Sequence, residues 1–283
     1  MTVKIVTDSA CDLPQELADE LNISIVPLSI RFGDDEFVDR QDLTVQEFWR
    51  RCSASAVLPS TAAPAPGAFE ETFRRLAAQG AASIVVIALS AELSATIQSA
   101  QLAARSVADV IKVDVVDSRA VTMGQGMIAV AAARMAAAGS SQLDIVTAAH
   151  SLAERTHTWA AFDSLDNLKK GGRIGGAKAL MASVLSIKPV IEVRNGRVEE
   201  GGRQRTRSKS MAFLVDVVRQ AKHKHGSVEN LAVMHADATD IEQFLALLDT
   251  VDSGPRIVGQ IGAVIGSHAG AGTIGVVFQV PQG

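Results

Sequence analysis

The sequence predicts an α/β fold: two α/β domains, the first with a mainly parallel sheet, and a ligand site in or near the crevice between them. Three observations predict it. Apolar β-rich runs alternate with helical runs through the first two thirds of the chain, the order of a parallel sheet covered on both faces. The 283 residues suffice for one large domain or two ordinary ones, and a 47% hydrophobic content fills a sizeable core. Near residue 160 the pattern shifts, and a hairpin and a long helix replace the regular alternation. The expected domains are 1–160 and 161–283.

The elements follow in order. VKIVTDS (3–9) is an apolar strand, and Pro14 opens a helix through about Leu21, a common first-turn use of proline. ISIVPLSIRFG (23–33) is β-rich, DDEFVDR gives a turn and a short strand, and 44–51 is helical. Residues 53–66, SASAVLPSTAAPAP, read as a loop by their Ser, Ala and Pro content. Then come a helix (67–78), the buried strand SIVVIAL (83–89), a helix (94–107) and the strand VIKVDVVD (110–117). Two alanine-rich helices occupy about 122–138 and 142–155. LDNLKKGGRIGG (165–176) is a helix capped by glycines. SIKPVIEV (186–193) and GRVEEGG (196–202) form a hairpin around Asn195-Gly196. A helix (206–225), the strand NLAVMHA (230–236), a helix (237–248) and PRIVGQIG lead to a glycine-rich loop at 261–277.

Composition excludes several classes. A net charge of −4 argues against nucleic acid as a partner. Cys11 and Cys52 are the only cysteines, which points to reduced thiols and a cytoplasmic protein. The opening MTVKIVTDSACDLP reads as a folded strand rather than a signal peptide. No apolar run reaches membrane-spanning length; AAARMAAAG (131–139) is interrupted by Arg134. His223 and His225 lie two apart on a helix and do not share a face, and HExxH and zinc-spaced cysteines are absent, so neither metal nor cofactor is expected.

The chemistry-bearing residues gather at strand ends, where ligands of open α/β sheets sit. Ser9 ends the first strand, Ser60 and Thr61 precede a helix, and Ser94 and Thr96 open another. Singly these suit helix capping; together, hydroxyls and helix N-termini suit an anion. The glycine-rich segment adds His268, a ligand donor or proton carrier. Its Gly270, Gly272 and Gly275 spell GxGxxG, but they lead into an apolar strand with no crossover helix expected after it, so a dinucleotide site is rejected. A hydrolase of small esters with Ser94 as nucleophile and His268 as base is the alternative, although no GxSxG elbow accompanies it. A non-catalytic sensor of a small acid is a third reading.

Eight blocks in order carry a resemblance over nearly the whole chain. They are IVTDSACDLP, IRFGDDEFVDR, PSTAAPAPGAF, ALSAELSATIQSA, VDVVDSRAVTMGQG, LDNLKKGGRI, SIKPVIEVRNGRVE with RQRTRSKSM, and GAVIGSHAGAGTIGV. Together they resemble the DegV family of bacterial fatty-acid-binding proteins, the lipid-presenting subunits of fatty acid kinase. The resemblance implies two α/β domains enclosing an acyl chain, whose carboxylate is held by Thr61, Ser94 and His268. Ser60, Thr96 and Ser9 stand beside that trio as ligand-binding candidates.

The resemblance further implies a protein with no catalytic residue and no cofactor, carrying a long-chain fatty acid. A separate ATP-binding kinase subunit phosphorylates the acid, and Arg173 and Arg205 face that partner. Against the family pattern, Ala62 and Ala65 replace serines, Ala95 replaces glycine and Ala271 replaces proline. Ala95 adopts positive φ less easily than glycine.

Overall fold

The computed structural model describes residues 2–55, 57–182 and 187–282. The chain opens with β1 (Thr2–Asp8), a 3-10 turn (Ser9–Cys11) and α1 (Gln15–Glu20) directly behind Pro14. β2 (Ile23–Val26), β3 (Ser29–Phe32) and β4 (Asp35–Val38) precede α2 (Val45–Ala54). The Thr44 hydroxyl caps α2 by accepting from the Glu47 amide at 3.2 Å. The stretch predicted as a loop at 53–66 contains a strand, β5 (Ser60–Ala62), paired antiparallel with β3. Three residues between prolines show no alternation, so only the pairing partner defines it. α3 (Pro66–Ala78), β6 (Ala81–Ala88), α4 (Thr96–Ser106), β7 (Lys112–Asp117), α5 (Met123–Ala137) and α6 (Gln142–Arg155) complete the alternating part.

α6 runs without a loop into β8 (Thr156–Ala161). Next come α7 (Asp166–Lys170), a 3-10 segment (Gly175–Ala182), β9 (Lys188–Arg194) and β10 (Arg197–Gln204). Ser186, the first residue of the predicted strand, lies outside the described residues. Asn195 and Gly196 both have positive φ, +52° and +79°, as a two-residue hairpin turn of mirror-image type demands. α8 (Arg207–His225), β11 (Glu229–His235), α9 (Ile241–Asp249), β12 (Ile257–Gln260), α10 (Ala263–Ala269) and β13 (Ile274–Gln279) follow. α9 starts later than the expected 237 because Asp237 sits at φ +48°, outside helical space.

The glycine-rich segment is not the predicted loop. Its first part is α10, and two glycines fit rather than break it. Gly262 is the extended residue before the helix, and Gly266 lies where a Cβ would come within 2.8 Å of the Phe48 and Trp49 rings. Only Gly270 and Gly272 take positive φ, and they end the helix.

Three sheets result. The first has the order β2-β1-β6-β7, parallel throughout. The second has the order β10-β9-β8-β13-β11-β12, antiparallel except for β11 with β12. β8 pairs wholly within it, although most of that strand precedes residue 160. The third, β4-β3-β5, is a small antiparallel layer. The hairpin turn of the second sheet is clasped to the first by the Ser90 hydroxyl, which donates to the Gly196 carbonyl at 2.7 Å, and by Arg197 with Glu92.

Strand side chains alternate between faces. In the first sheet Val6, Ile84 and Val86 meet Phe69 and Phe73 of α3. Ile5, Val85 and Ile87 point the other way, into a core shared with Ile128 of α5, Ile145 of α6, and Ala232, Met234 and Val277 of the second sheet. The far face of the second sheet packs Val233, Val276 and Phe278 on Leu214 of α8 and Phe244 of α9. α5 is thus covered from both sides, which explains why it is apolar nearly all round. Among the described residues no helix is long and apolar enough to cross a membrane, and no cluster of His, Cys, Asp or Glu could hold a metal.

Gly126 of α5 is fixed by this packing. A Cβ there would stand 2.8 Å from the Cys11 carbonyl oxygen and 3.1 Å from the Leu13 side chain. Gly126→Ala should therefore destabilise the protein by about 1–3 kcal/mol, outweighing the helix-propensity gain of about 1 kcal/mol. Chemical denaturation measures this; a neutral or stabilised variant would show that the turn after β1 yields.

Candidate functional site

A cavity lies between the second sheet and the segments that follow β2 and β6, and its outline, open solvent at the mouth included, takes in about 860 Å³. Its walls are aliphatic: Ile191, Met234 and Val277 stand on strands of the second sheet, Ile261 follows β12, and Leu28 and Leu89 follow β2 and β6 of the first. Four lining residues carry groups suited to an anion: Thr61, Ser94, Arg173 and His268. They come from four separate segments, so the fold assembles the group rather than any one motif.

Thr61 is the central residue of β5, registered opposite Ile30. Its hydroxyl lies 2.9 Å from Nε2 of His268, in the last turn of α10. Ser94 precedes α4, and its hydroxyl oxygen accepts from the Thr96 amide at 3.2 Å and lies 2.8 Å from the Thr96 hydroxyl. Arg173 is oriented by two carbonyls: Nε donates to Leu93 at 3.0 Å and Nη1 to Gly171 at 2.6 Å. The first bond sets the guanidinium beside Ser94.

Burial is the main cause pushing the His268 imidazole down to about 4, and the Arg173 charge adds to it. The ring is therefore neutral at pH 7. Its Nδ1 is buried without a hydrogen-bond partner in the protein. One fixed cation, a neutral imidazole and two hydroxyls form a donor-rich pocket for one monovalent anion. Ser94 is engaged with Thr96, His268 with Thr61, and among the described residues no hydrogen bond joins Ser94 to His268.

The other candidates lie outside the cavity lining. Ser9 is 1% exposed and accepts from the Leu28 amide at 3.0 Å, bracing the chain after β1. Thr96 is buried behind Ser94, while Ser60 and Arg205 are exposed. Ala95 has φ −78°, so the family's glycine is not needed for a left-handed conformation here.

Sequence reasoning missed several residues that shape the site. Asn167 Nδ2 donates to the Ser267 carbonyl at 3.1 Å and ties α7 to α10. Gly171 has no side chain because a Cβ would collide with the His268 ring, so the KKGGR glycine permits this close approach. Asp12 accepts from the Gly262 amide at 3.0 Å and seats the start of α10. Burial pushes its carboxyl up to about 7 despite the neighbouring Thr122 hydroxyl, Arg40 and that amide. Asp8 is likewise raised by burial, to about 6, against bonds from the Leu89 and Ala10 amides and Gln125. The DLP segment carried the clue for Asp12, but nothing local pairs it with a residue at 262.

The imidazole gives a pH test. A free histidine titrates near 6.5, so between about pH 6.5 and 4 the unfolded chain binds a proton that folded His268 does not. Its contribution is complete above that window and is lost as pH falls through it. Relative to His268→Gln, the ligand-free wild type should lose on the order of 1–3 kcal/mol of denaturation free energy across this range. Asp8 and Asp12, with raised values, slope the opposite way and cancel in the comparison. A histidine resonance titrating near 6.5 and assigned to His268 would contradict the buried neutral ring.

Comparison with known proteins places the chain as a whole. The model of the DegV family, which carries the description of an uncharacterised protein, matches residues 2–280. A DegV domain-containing protein of Streptomyces coelicolor is 38% identical over 278 residues, 97% of each chain. One from Deinococcus radiodurans is 35% identical over 283 residues, 99% of each. A fatty-acid-binding DegV family protein from Thermus thermophilus superposes with a TM-score of 0.90 at 30% identity, covering 99% of this chain and 100% of that one. A stearic-acid-binding protein from Eubacterium ventriosum gives 0.91 at 26% identity, covering 98% of both chains. The family match over nearly the full length, with the shared fold, makes this chain a member of the DegV family.

Proposed function

We propose that the protein binds a long-chain fatty acid, with its carboxylate at Thr61, Ser94, His268 and Arg173, and presents it to a separate ATP-dependent kinase subunit. The observation that carries this is one narrow apolar cavity in which anion donors from four segments converge. The fatty acids named for the Thermus and Eubacterium structures support it. Each methylene buried along the walls contributes about 0.8 kcal/mol before ordering costs. The donors fix the orientation of the head group.

In this role the chain supplies no catalytic residue. The bound carboxylate oxygen attacks the γ-phosphorus of ATP held by the partner, ADP leaves, and acyl phosphate forms. Exposed Arg205 is directed at the partner, while Arg173, held at the cavity by the Leu93 and Gly171 carbonyls, steadies the carboxylate presented to it. The chain works as two domains that meet near residue 160, with β8 in the second: Thr61 and Ser94 come from the first, Arg173 and His268 from the second. It acts in the cytoplasm, where ATP is available.

Native mass spectrometry of the purified protein, with solvent extraction of the ligand, tests the reading. One fatty acid per chain is the expected result. A protein that is purified empty and takes up no added fatty acid would overturn it. Thr61→Val, Ser94→Ala and His268→Ala should each weaken retention by about 1–3 kcal/mol while thermal unfolding stays cooperative. With the kinase subunit and ATP, Arg205→Glu should slow acyl phosphate formation, trapped as hydroxamate, and leave fatty acid retention unchanged. Equal turnover would remove Arg205 from the partner surface.

A further inference from the structure

Asp12 is a buried carboxyl that the head-group site does not use. It sits in the turn after β1 with φ +51°, is 7% exposed, and lines a surface cleft together with Arg40, Gln260 and Gly262. Its Oδ1 accepts from the Gly262 amide at 3.0 Å, and a Cβ at position 262 would come within 2.6 Å of that oxygen, so glycine alone allows the contact. Its Oδ2 is buried without a hydrogen-bond partner. Gly262 is the residue from which α10 starts. The residue before it, Ile261, is held by the Trp49 indole, which donates to the Ile261 carbonyl at 3.1 Å. Ile261 and, on α10 itself, Val264, Ile265, His268 and Ala269 line the cavity. One short helix thus carries a cavity wall and the head-group imidazole, and its start is fastened to a carboxyl beside a surface cleft.

The surroundings of that carboxyl favour its neutral form. The charged groups facing it are Arg40, whose Nη1 donates to the Leu13 carbonyl at 2.9 Å, and Asp39, itself buried. The Thr122 hydroxyl approaches from the start of α5, and Cys11 in the same turn is neutral because burial pushes its thiol up. Burial outweighs the Thr122 hydroxyl, Arg40 and the Gly262 amide, and pushes the Asp12 carboxyl up to about 7.

We infer that Asp12 is a positioning residue for His268, acting through α10 as a latch: with its proton it holds the helix against the cavity, and without it the helix lifts more often and the ligand exchanges. This rests on the fatty-acid reading above. Lifting α10 gives the carboxyl water and returns it towards the ordinary value of about 3.9. The seated helix therefore binds the proton more tightly than the lifted one. The seat is firm below about pH 7 and loosens as pH rises through that value. The imidazole of His268 is neutral and a fatty acid carboxylate is ionised throughout this range, so neither supplies the same dependence. Asp8, raised to about 6, bonds to the Leu89 and Ala10 amides and to Gln125, none of them on α10.

Delipidated full-length protein, loaded with radiolabelled stearate and chased with albumin, gives the dissociation rate. In the wild type it should rise about tenfold from pH 6 to pH 8. Asp12→Asn keeps an oxygen for the Gly262 amide but has no proton to lose, and should stay near the slow rate at both values. Asp12→Ala removes the acceptor and should be fast at both. A wild-type rate that is flat with pH, or a rise that survives in Asp12→Asn, overturns this inference alone. Trp49 supplies a readout that needs no ligand, because its indole is bonded to the residue before α10. On a Trp159→Phe background, which leaves Trp49 as the one tryptophan, acrylamide quenching should climb over the same range and stay flat in Asp12→Asn. If stearate does not bind, the fatty-acid reading falls. Quenching that is flat with pH then takes the latch with it, whereas quenching that climbs only with Asp12 present upholds the latch. If Asp12→Ala does not fold, the wild type and Asp12→Asn still decide.

Discussion

The burial of α5 between the two larger sheets is the constraint on which the rest depends. A helix covered from both sides must be apolar all round and thin where backbone approaches it, hence Gly124 and Gly126 in its first turns. Its other side chains belong to the core shared by both sheets, so neither sheet is complete without it. The cavity borders the start of this helix, at Val121 and Thr122.

The electrostatics of the site follow from the same burial. A charged imidazole at position 268 would be costly among apolar walls with a guanidinium nearby, so the ring is neutral, and among the described lining residues Arg173 carries the one formal charge. In the proposed complex a carboxylate would make that end neutral overall and ease the penalty on protonating the ring. On the proposed reading a monoanion would match this charge, whereas a dianion would be left uncompensated in a poorly hydrated space.

How much of this was legible in the sequence depended on whether a signal was local. The parallel sheet was readable because each buried strand and covering helix carries its own periodicity. The Asn195-Gly196 hairpin was readable because turn chemistry is fixed by two residues. β5 was not, since its pairing with β3 is a long-range fact and three residues between prolines carry no pattern. α10 was hidden because its glycines answer to residues far away in sequence, Gly266 to Phe48 and Trp49 and Gly262 to Asp12. Among the candidate residues, Thr61, Ser94, His268 and Arg173 reached the cavity, while Ser9 and Thr96 turned out to satisfy backbone or neighbouring hydroxyls. Hydroxyls at strand ends look alike in a sequence whether they meet a ligand or cap a turn.

The direct passage of α6 into β8 at residues 155–156 has a kinetic consequence. No slack linker separates the sheets there, and the core holding Ile5 and Val85 also holds Met234 and Val277. Swinging the sheets apart would expose that whole core, an event close in cost to global unfolding. Exchange of a bound molecule should instead proceed by small excursions of α7, α10 and β5, the short elements at the rim. Residence time would then be set by a few rim hydrogen bonds, such as Asn167 to Ser267, and could be shortened without weakening the fold.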